Sequence, residues 1–401
     1  MEQQRFAIRG QVIGAGDPQL QDMLAQVYDT HERPRCLCVA QGVEMYVARH
    51  RLYVIKRMPD SGSAHHPACP SYEPELQHSG LAELLGEAVL EPEPGRVELR
   101  VDFPWTRMIG PGVPHSEPQE AAEVGVPCRR MTLRAVLHFL FERAGFNRWS
   151  PAMAGKRNQG VLRKYLLEAA EDITVKGLPL AQRLYVPEPF SEHAKAEAAR
   201  RRREKLAVLR PSEGRTPLAL VIGEFKASDA TVQGRRVWIR HMPDAPLLIA
   251  ARSWTRIERV FAPLFEARDA DTAHPLRLVM AALIRARREY TYEIEAASLM
   301  LTSAHWIPLE GVHELPLIDA LVERQRRFIK PLRYDARSVA PFPNALLLDA
   351  GPAPIPLHVV SPFMDARERT EKEKAVAACK DAWVWWTDQP MPPLKDVDGS
   401  R

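Results

Sequence analysis

The sequence predicts an α+β protein of several domains, and three patterns in it support this prediction. Short runs of alternating apolar residues, typical of strands, dominate residues 1–108. Residues 128–210 instead repeat apolar positions every three or four residues, which is typical of helices. After residue 214 strand-like and helix-like runs alternate. We therefore expect a β-rich module at 1–108, a helical basic segment at 128–210 and an α/β domain at 214–390.

The composition is that of an ordinary soluble protein. Hydrophobic residues make up 45% and charged residues 26% of the 401 residues. The N-terminus lacks the apolar core of a signal peptide, and no window approaches the ~18 continuous apolar residues of a membrane span. Five cysteines form no disulfide-like framework, which favours a reducing compartment. We expect a cytoplasmic protein.

The first module contains a predicted hairpin that brings distant residues together. Residues 43–49 and 51–57 both alternate apolar and polar side chains, and a tight turn near His50 would join them. A hairpin returns its ends to one place. It would therefore bring Cys36 and Cys38 close to Cys69 and to the histidine pair that precedes it.

These residues predict a zinc site. Three thiolates and one imidazole satisfy the tetrahedral preference of structural zinc. We choose Cys36, Cys38, His66 and Cys69 as ligands, with His65 as the alternative to His66. Four protein ligands would leave no open position, so the zinc would be structural. The competing interpretation is that the cysteines are small buried apolar residues.

The middle segment carries an excess of positive charge. Residues 143–210 hold 15 Lys and Arg against 7 Asp and Glu, whereas the net charge of the whole chain is only +4. Two predicted helices (132–143 and 159–172) flank a basic loop, and a short apolar alternation (178–186) follows as a small strand pair, in an order that coarsely resembles a winged helix. Localised positive charge is what phosphate neutralisation needs, so we expect nucleic-acid binding, with DNA favoured.

The candidate contacts cluster around the second helix and in a later run of arginines. Either group could instead be a solvated surface, and the arginine run, on a helix predicted from 191 to 209 with Ser191 as its cap, could simply complement the helix dipole. The candidates are Arg148, Trp149, Lys156, Arg157, Arg163, Lys164, Arg200, Arg201, Arg202 and Arg203.

The C-terminal half begins with strands from residue 216 and predicted helices at 253–265 and 276–288. Residues 314–389 then predict a helix (314–328), three strands (330–335, 345–349 and 357–360), a helix (364–380) and a strand (383–386). This order resembles the core of the restriction-endonuclease-like fold.

That resemblance implies a test of the active site. Such nucleases carry a PD…(D/E)xK pattern, in which two carboxylates hold magnesium and a lysine orients or activates water. Here Asn344, His358 and Val360 stand at those positions, so we expect a degenerate, non-cutting site. Weak replacements exist in Glu323, Asp335, Asp349, Lys372 and Lys374.

The chain as a whole resembles an uncharacterised bacterial family of mobile-element accessory proteins, known as Domain of Unknown Function 1173. The likeness lies in residues 36–38, 43–46, 56–59, 61–62, 66–69, 71–72, 79–81, 240–244, 246–247 and 328–335. It implies a bacterial protein in a mobile-element context, such as an integrative conjugative element, and supplies no reaction.

The leading hypothesis is a zinc-stabilised, nucleic-acid-associated accessory protein without catalytic activity. One alternative is a metal-dependent nuclease with a migrated active site. The other is an interaction scaffold, in which the arginine-rich helix and the aromatic strand at 383–386 bind a second element-encoded protein.

Overall fold

A computed structural model gives the fold of the protein. It describes residues 4–49, 52–58, 61–74, 79–93, 95–108, 129–211, 214–270, 275–337, 340–351, 353–379 and 381–397. The helices within these ranges are α1 (Leu20–Val27), α2 (Leu133–Arg143), α3 (Gln159–Glu171), α4 (Leu180–Arg183), α5 (Lys195–Lys205), α6 (Ala251–Ala270), α7 (Leu315–Glu323) and α8 (Ala366–Ala378). None of these helices is long and apolar enough to cross a membrane.

The strands form a mixed α+β architecture with these helices. In chain order they are β1 (Arg5–Ile8), β2 (Gln11–Gly14), β3 (Arg35–Cys36), β4 (Val43–Arg49), β5 (Tyr53–Arg57), β6 (Val89–Glu93), β7 (Arg96–Leu99), β8 (Thr106–Met108), β9 (Arg148–Trp149), β10 (Ile173–Val175), β11 (Leu178–Pro179), β12 (Leu184–Tyr185), β13 (Arg215–Pro217), β14 (Ala219–Thr231), β15 (Gly234–Ile239), β16 (Leu247–Ala250), β17 (Arg277–Arg288), β18 (Thr291–Thr302), β19 (Pro308–Leu309), β20 (Phe328–Ile329), β21 (Ala345–Leu347), β22 (Ile355–Val360) and β23 (Trp383–Trp386).

The N-terminal sheet has the order β2-β1-β3-β4-β5. The predicted hairpin is confirmed, because β4 and β5 pair antiparallel with Arg49 opposite Tyr53. The turn predicted at His50 lies outside the described residues. Helix α1 packs its apolar side, with Leu20, Leu24 and Val27, into the core of this sheet.

Strands β14 to β18 close into a barrel. β14 pairs antiparallel with β15, β15 with β16, and β17 with both β14 and β18, whereas β16 runs parallel to β18. The order β14-β15-β16-β18-β17 therefore returns to β14. Helix α6 lies between β16 and β17 in the chain and packs against the barrel strands.

The helix predicted for residues 276–288 is wrong, because this segment is strand β17. Leu278 and Met280 belong to the apolar core that includes buried residues of α6, whereas Val279 and Ala281 belong to the core that includes α2. The strand is thus buried on both faces, and its sequence is a continuous apolar run rather than an alternation. Such a run, rich in Ala and Leu, fits a buried helix equally well.

Helices α2 and α3 of the middle segment lie close to the bounds predicted for them, 132–143 and 159–172. The Thr132 side chain caps α2 by accepting a hydrogen bond from the Ala135 amide. The strand-like run predicted for 178–186 is interrupted, since the short strands β11 and β12 lie at its two ends and the short helix α4 lies between them. Helix α5 begins at Lys195 after Ala194, so the cap predicted at Ser191 is also wrong.

Strand pairing links the three predicted segments. β10 runs parallel to β7 of the N-terminal segment, and β9 pairs with β20 of the C-terminal one. The last sheet has the order β23-β22-β21-β20-β9, with β22 and β23 parallel and its other neighbours antiparallel. The first strand that residues 314–389 contribute to this sheet is β20, Phe328–Ile329. The strand predicted for 330–335 is therefore wrong.

Candidate metal centre and binding surfaces

Two segments of the N-terminal module bring four ligand-type side chains together. Cys36 ends β3, opposite Phe6 of β1, and Cys38 follows two residues later. The second segment begins with a 3₁₀ turn, Gly62–Ala64, after which the backbone of His65 is extended, with φ −77° and ψ 154°. Cys69 follows one turn later, where its amide donates to the His66 carbonyl.

The four ligand atoms fit a tetrahedral metal. One atom each from Cys36, Cys38, His65 and Cys69 all lie within 4.8 Å of one another. The Cys36 and Cys69 sulfurs are 3.6 Å apart, and the Nδ1 atom of His65 lies 3.3 Å from the Cys38 sulfur and 3.7 Å from that of Cys69. A tetrahedron with zinc–sulfur bonds of ~2.3 Å places two sulfurs about 3.8 Å apart, so this spacing suits such an ion.

The structure selects His65 and not His66, so the first choice of histidine was wrong. The Nδ1 atom of His66 accepts from the Ala68 amide at 3.2 Å, and the His66 amide donates to the Cys38 sulfur at 3.4 Å. His65 itself is 2% exposed. Adjacent residues in an extended chain point in opposite directions, so only one of the pair can reach the cluster.

The surroundings of the cluster favour the thiolate form of Cys36, whereas burial raises the pKa of Cys38. The Gln4 side-chain amide donates to the Cys36 sulfur at 3.4 Å, and the Ser71 amide donates to the Cys69 sulfur at 3.4 Å. The hydrogen bond from Cys69 lowers the pKa of Cys36 to about 4, whereas that same contact and burial raise the pKa of Cys69. Donors aimed at sulfur stabilise the charged form that a metal requires.

The cluster lies where the N-terminal module meets the C-terminal sheet. Arg327 donates to the carbonyl of Ala68 at 3.2 Å, and Arg148 donates to that of Pro70 at 3.4 Å. Leu346 and Leu348 belong to the same apolar core as Cys36 and Cys69. A metal bound here would therefore fix the segment that joins the two parts of the chain.

Most of the predicted nucleic-acid contacts are occupied within the protein. Trp149 and Arg202 are 2% and 4% exposed. Arg157 donates to the carbonyls of Gly145, Phe146 and His305, and its burial lowers its pKa to about 10. Arg148 donates to backbone carbonyls as above. These four side chains serve the interior rather than a ligand.

The other six candidates lie at the surface, and four of them are paired. Arg163 and Arg201 contact Glu188, Arg200 contacts Glu197, and Lys164 contacts Glu168. Lys156 and Arg203 are exposed and make no ion pair with any described residue. For these two, contact with nucleic acid stays a prediction.

Arg203 lines a cavity of about 310 Å³ between the end of α5 and the turn that joins β17 to β18. Its guanidinium lies 4.8 Å from the centre of the Tyr290 ring, and Tyr290 is 49% exposed. Glu289 is the acidic residue in the lining. The other basic and aromatic side chains there are Arg210, Arg287, Arg288 and Tyr292.

The predicted catalytic residues do not meet. Asp335 accepts from the amide and hydroxyl of Thr132, at 2.9 and 2.6 Å, and so holds the start of α2. Asp349 accepts from Arg326 at 2.8 Å. Glu323 and Lys374 are exposed, at the end of α7 and on α8. Each of these four lies in its own local environment.

The degenerate positions lie on β22 and just before β21, and all are buried. The Asn344 side chain donates to Glu314 at 2.6 Å and accepts from the Val359 amide at 2.8 Å. His358 and Val360 are 3% and 1% exposed. Of the polar residues that surround Asn344, the sequence prediction included Lys372. It missed Glu310, His313, Glu314, Lys330 and Arg333.

The fold and the cluster define a mixed α+β protein whose N-terminal region holds a Cys/His group able to bind a metal ion. The chain belongs to the family described as "Protein of unknown function (DUF1173)", whose model matches residues 6–388. This confirms the family resemblance over nearly the whole chain. Searches of curated proteins and of solved structures gave no match.

Proposed function

We propose that this protein binds single-stranded nucleic acid, is stabilised by a structural zinc ion and catalyses no reaction. The observation that carries the proposal is the cavity with four arginines and two tyrosines beside the β17–β18 turn. Arginine supplies phosphate contacts and an exposed aromatic ring supplies a stacking surface, the two elements that single-strand recognition combines.

The barrel supports this location. Number its strands 1 to 5 from β14 to β18: the order is 1-2-3-5-4, strand 1 pairs with strand 4, strands 3 and 5 are parallel, and a helix separates strands 3 and 4. This is the connectivity of the OB-fold, which binds oligonucleotides on strands 2 and 3 and on the loops joining 1 to 2 and 4 to 5.

The end of strand 4 contacts one of the two loops that this fold uses. Arg287, the next-to-last residue of strand 4, donates to the Gln233 side chain, in the loop joining strands 1 and 2, at 2.9 Å. The cavity with Tyr290 opens beside the loop joining strands 4 and 5, and exposed Arg236 lies on strand 2. One basic, partly aromatic surface thus follows the expected path of an oligonucleotide.

A charge-matched pair of double variants tests the surface. Arg203→Gln with Arg288→Gln removes two cavity arginines, and Arg256→Gln with Arg259→Gln removes two exposed arginines of α6; none of the four has an ion pair with a described residue. Binding of labelled single-stranded DNA, measured by fluorescence anisotropy, should show a slope of log K against log salt reduced by about 1.4 in the first variant only. An equal reduction of this slope in both variants would show that DNA is attracted by the overall charge of the protein and not by this surface.

A second pair tests stacking. Tyr290 has φ 58°, which asparagine tolerates, so Tyr290→Asn removes the ring with little backbone strain. We expect a loss of about 1 to 3 kcal/mol in binding. Tyr165, 43% exposed and 5.2 Å from the Lys164 amine, is the matched control. A parallel titration uses single-stranded RNA in place of DNA. Tighter binding of RNA would show that RNA, and not DNA, is the preferred ligand.

We assign the metal as zinc because three thiolates and one imidazole suit it. With four protein ligands its task would be structural. Metal analysis of purified protein should find close to one zinc per chain, lost in His65→Ala and retained in the adjacent control His66→Ala. Retention in His65→Ala with loss in His66→Ala, or a wild-type protein without zinc, would refute the assignment.

The nuclease alternative draws support from the order α7-β20-β21-β22-α8-β23, although its first strand is Phe328–Ile329 and not 330–335, and from Lys372 beside Asn344. The carboxylates proposed for it are held by Thr132 and Arg326 instead, which disfavours it. Magnesium-dependent cleavage of plasmid DNA would support the nuclease alternative.

The scaffold alternative is disfavoured, because Trp383 and Trp385 of the aromatic strand proposed to bind the partner are 7% and 8% exposed. A mobile-element context, with an element-encoded partner, remains part of the proposal on the motif resemblance alone.

A further inference from the structure

A smaller cavity, of about 170 Å³, lies between the start of α7, helix α8 and the strands β21 and β22. Four of its polar side chains are deeply buried: Glu314, Lys330, Asn344 and Lys372 are 1%, 2%, 9% and 2% exposed. Buried charge is unfavourable unless it is paired and hydrogen-bonded. Each charge here therefore needs a partner.

Glu314 and Lys330 neutralise each other. One carboxylate oxygen of Glu314 accepts from the Lys330 amine at 3.1 Å and from the Asn344 amide at 2.6 Å. The other accepts from the Glu310 backbone amide at 2.8 Å. The pKa of Glu314 is lowered despite its burial, because Lys330 favours the carboxylate. This carboxylate is fully occupied.

Lys372 has no such counterion. Its amine donates to the carbonyl of Phe342 at 2.6 Å, and no carboxylate of the described residues lies within ion-pair distance. Burial lowers its pKa to about 7. Two hydrogens of the protonated amine are thus left without a described protein acceptor, beside a cavity.

The carboxylates that line the cavity, Glu310, Glu314 and Glu368, form no ion pair with Lys372, although Glu314 attracts its charge through space. Burial raises the pKa of Glu310 and lowers that of His313. Glu368, one turn before Lys372 on α8, and Arg333, from the segment after β20, also line the cavity and carry opposite charges. The uncompensated charge is that of Lys372.

We propose that this cavity binds a small tetrahedral oxyanion, a phosphate or sulfate group, with Lys372 as its principal contact. The volume equals about five to six waters at ~30 Å³ each, enough for an ion of this size. A cation is disfavoured, because the Cys/His cluster is the one group of three or more such ligands that converges within the described residues. The proposal is independent of the zinc and of the barrel surface.

Sulfate is the first probe, because it does not titrate near neutral pH. Calorimetric titration at constant ionic strength should show one saturable site in the wild type and in Lys374→Met, whose exposed lysine lies two residues away on α8. Lys372→Met should bind at least about tenfold more weakly. Wild-type affinity should fall by up to about tenfold per pH unit above 7 as Lys372 loses its proton. Absence of saturable binding, or equal binding by Lys372→Met, would overturn the proposal.

A measurement on the unmodified chain distinguishes the sources of the anion. Acetylation of each lysine at pH 8 is followed by mass spectrometry, with and without ligand. Protection of Lys372, but not Lys374, by inorganic phosphate identifies a free anion. Protection by a 5′-phosphorylated oligonucleotide, and not by its 5′-hydroxyl form, identifies a nucleotide end. No protection by sulfate, phosphate or either oligonucleotide refutes the site.

Discussion

Replacing Lys372 by methionine should stabilise the protein, although Lys372 is one of its most buried side chains. Burial lowers the pKa of this lysine from 10.5 to about 7, and at 1.36 kcal/mol per pKa unit the folded state loses about 5 kcal/mol by holding the ammonium. The variant gives up the hydrogen bond to Phe342, worth about 1 to 1.5 kcal/mol, and keeps a side chain of similar length. The net gain should be about 3.5 to 4 kcal/mol at pH 6.

The pH dependence of that gain identifies its cause. Below pH 7 the amine is charged in both the folded and unfolded chains, so the full penalty acts on the wild type. Between pH 7 and 10.5 the unfolded chain still binds a proton that the folded chain has released, so wild-type stability rises with pH. The advantage of Lys372→Met should therefore shrink steadily across this range.

Urea unfolding in sulfate-free and phosphate-free buffer, at pH 6, 8 and 9.5, measures this difference. Lys374→Met is the control and should stay within about 0.5 kcal/mol of the wild type at each pH. The reasoning is refuted if Lys372→Met is less stable than the wild type at pH 6, or if its advantage does not change with pH. Either result would mean that Lys372 has a counterion in the folded state.

Two further predictions concern contacts between distant segments. A Cβ atom on Gly80 would lie 2.0 Å from the Arg333 carbonyl oxygen, so Gly80→Ala should lower the free energy of unfolding by more than about 2 kcal/mol, whereas Gly351→Ala, which meets nothing within 4 Å, should change it by less than about 0.5 kcal/mol. Asp335→Ala removes the acceptor of two hydrogen bonds from Thr132 and should cost about 1 to 3 kcal/mol by the same urea assay, with exposed Asp381→Ala as a neutral control. A neutral Gly80→Ala or Asp335→Ala would contradict the packing of these segments.

The sequence located the cysteines of the candidate metal centre because their chemistry and the hairpin are both local signals. It could not choose between His65 and His66. That choice depends on a 3₁₀ turn ending at Ala64 and on the extended backbone at His65, which sends one ring inward. No apolar period crosses this segment, so nothing in the sequence fixes which face each histidine occupies.

The barrel could not be predicted from the sequence pattern, for a different reason. Its closure depends on pairing between β14 and β17 and on parallel pairing between β16 and β18, both set by tertiary packing. β17 is buried on both sides, so the alternation that identifies a strand is absent. With β17 assigned as a helix, the remaining strands could not form a closed order, and the proposed binding face could not be recognised.

A count of charges could not locate the proposed nucleic-acid surface, because a count does not distinguish a paired arginine from a free one. In the run from Arg200 to Arg203, Arg200 and Arg201 contact glutamates and Arg202 is buried against Asp244. A paired guanidinium must give up its partner before it can neutralise a phosphate, so its net contribution to binding is small. Arg203 alone faces the cavity where an aromatic ring and further arginines meet. Binding energy should therefore follow unpaired charge beside Tyr290 and not the local density of arginine, which is what the charge-matched variants measure.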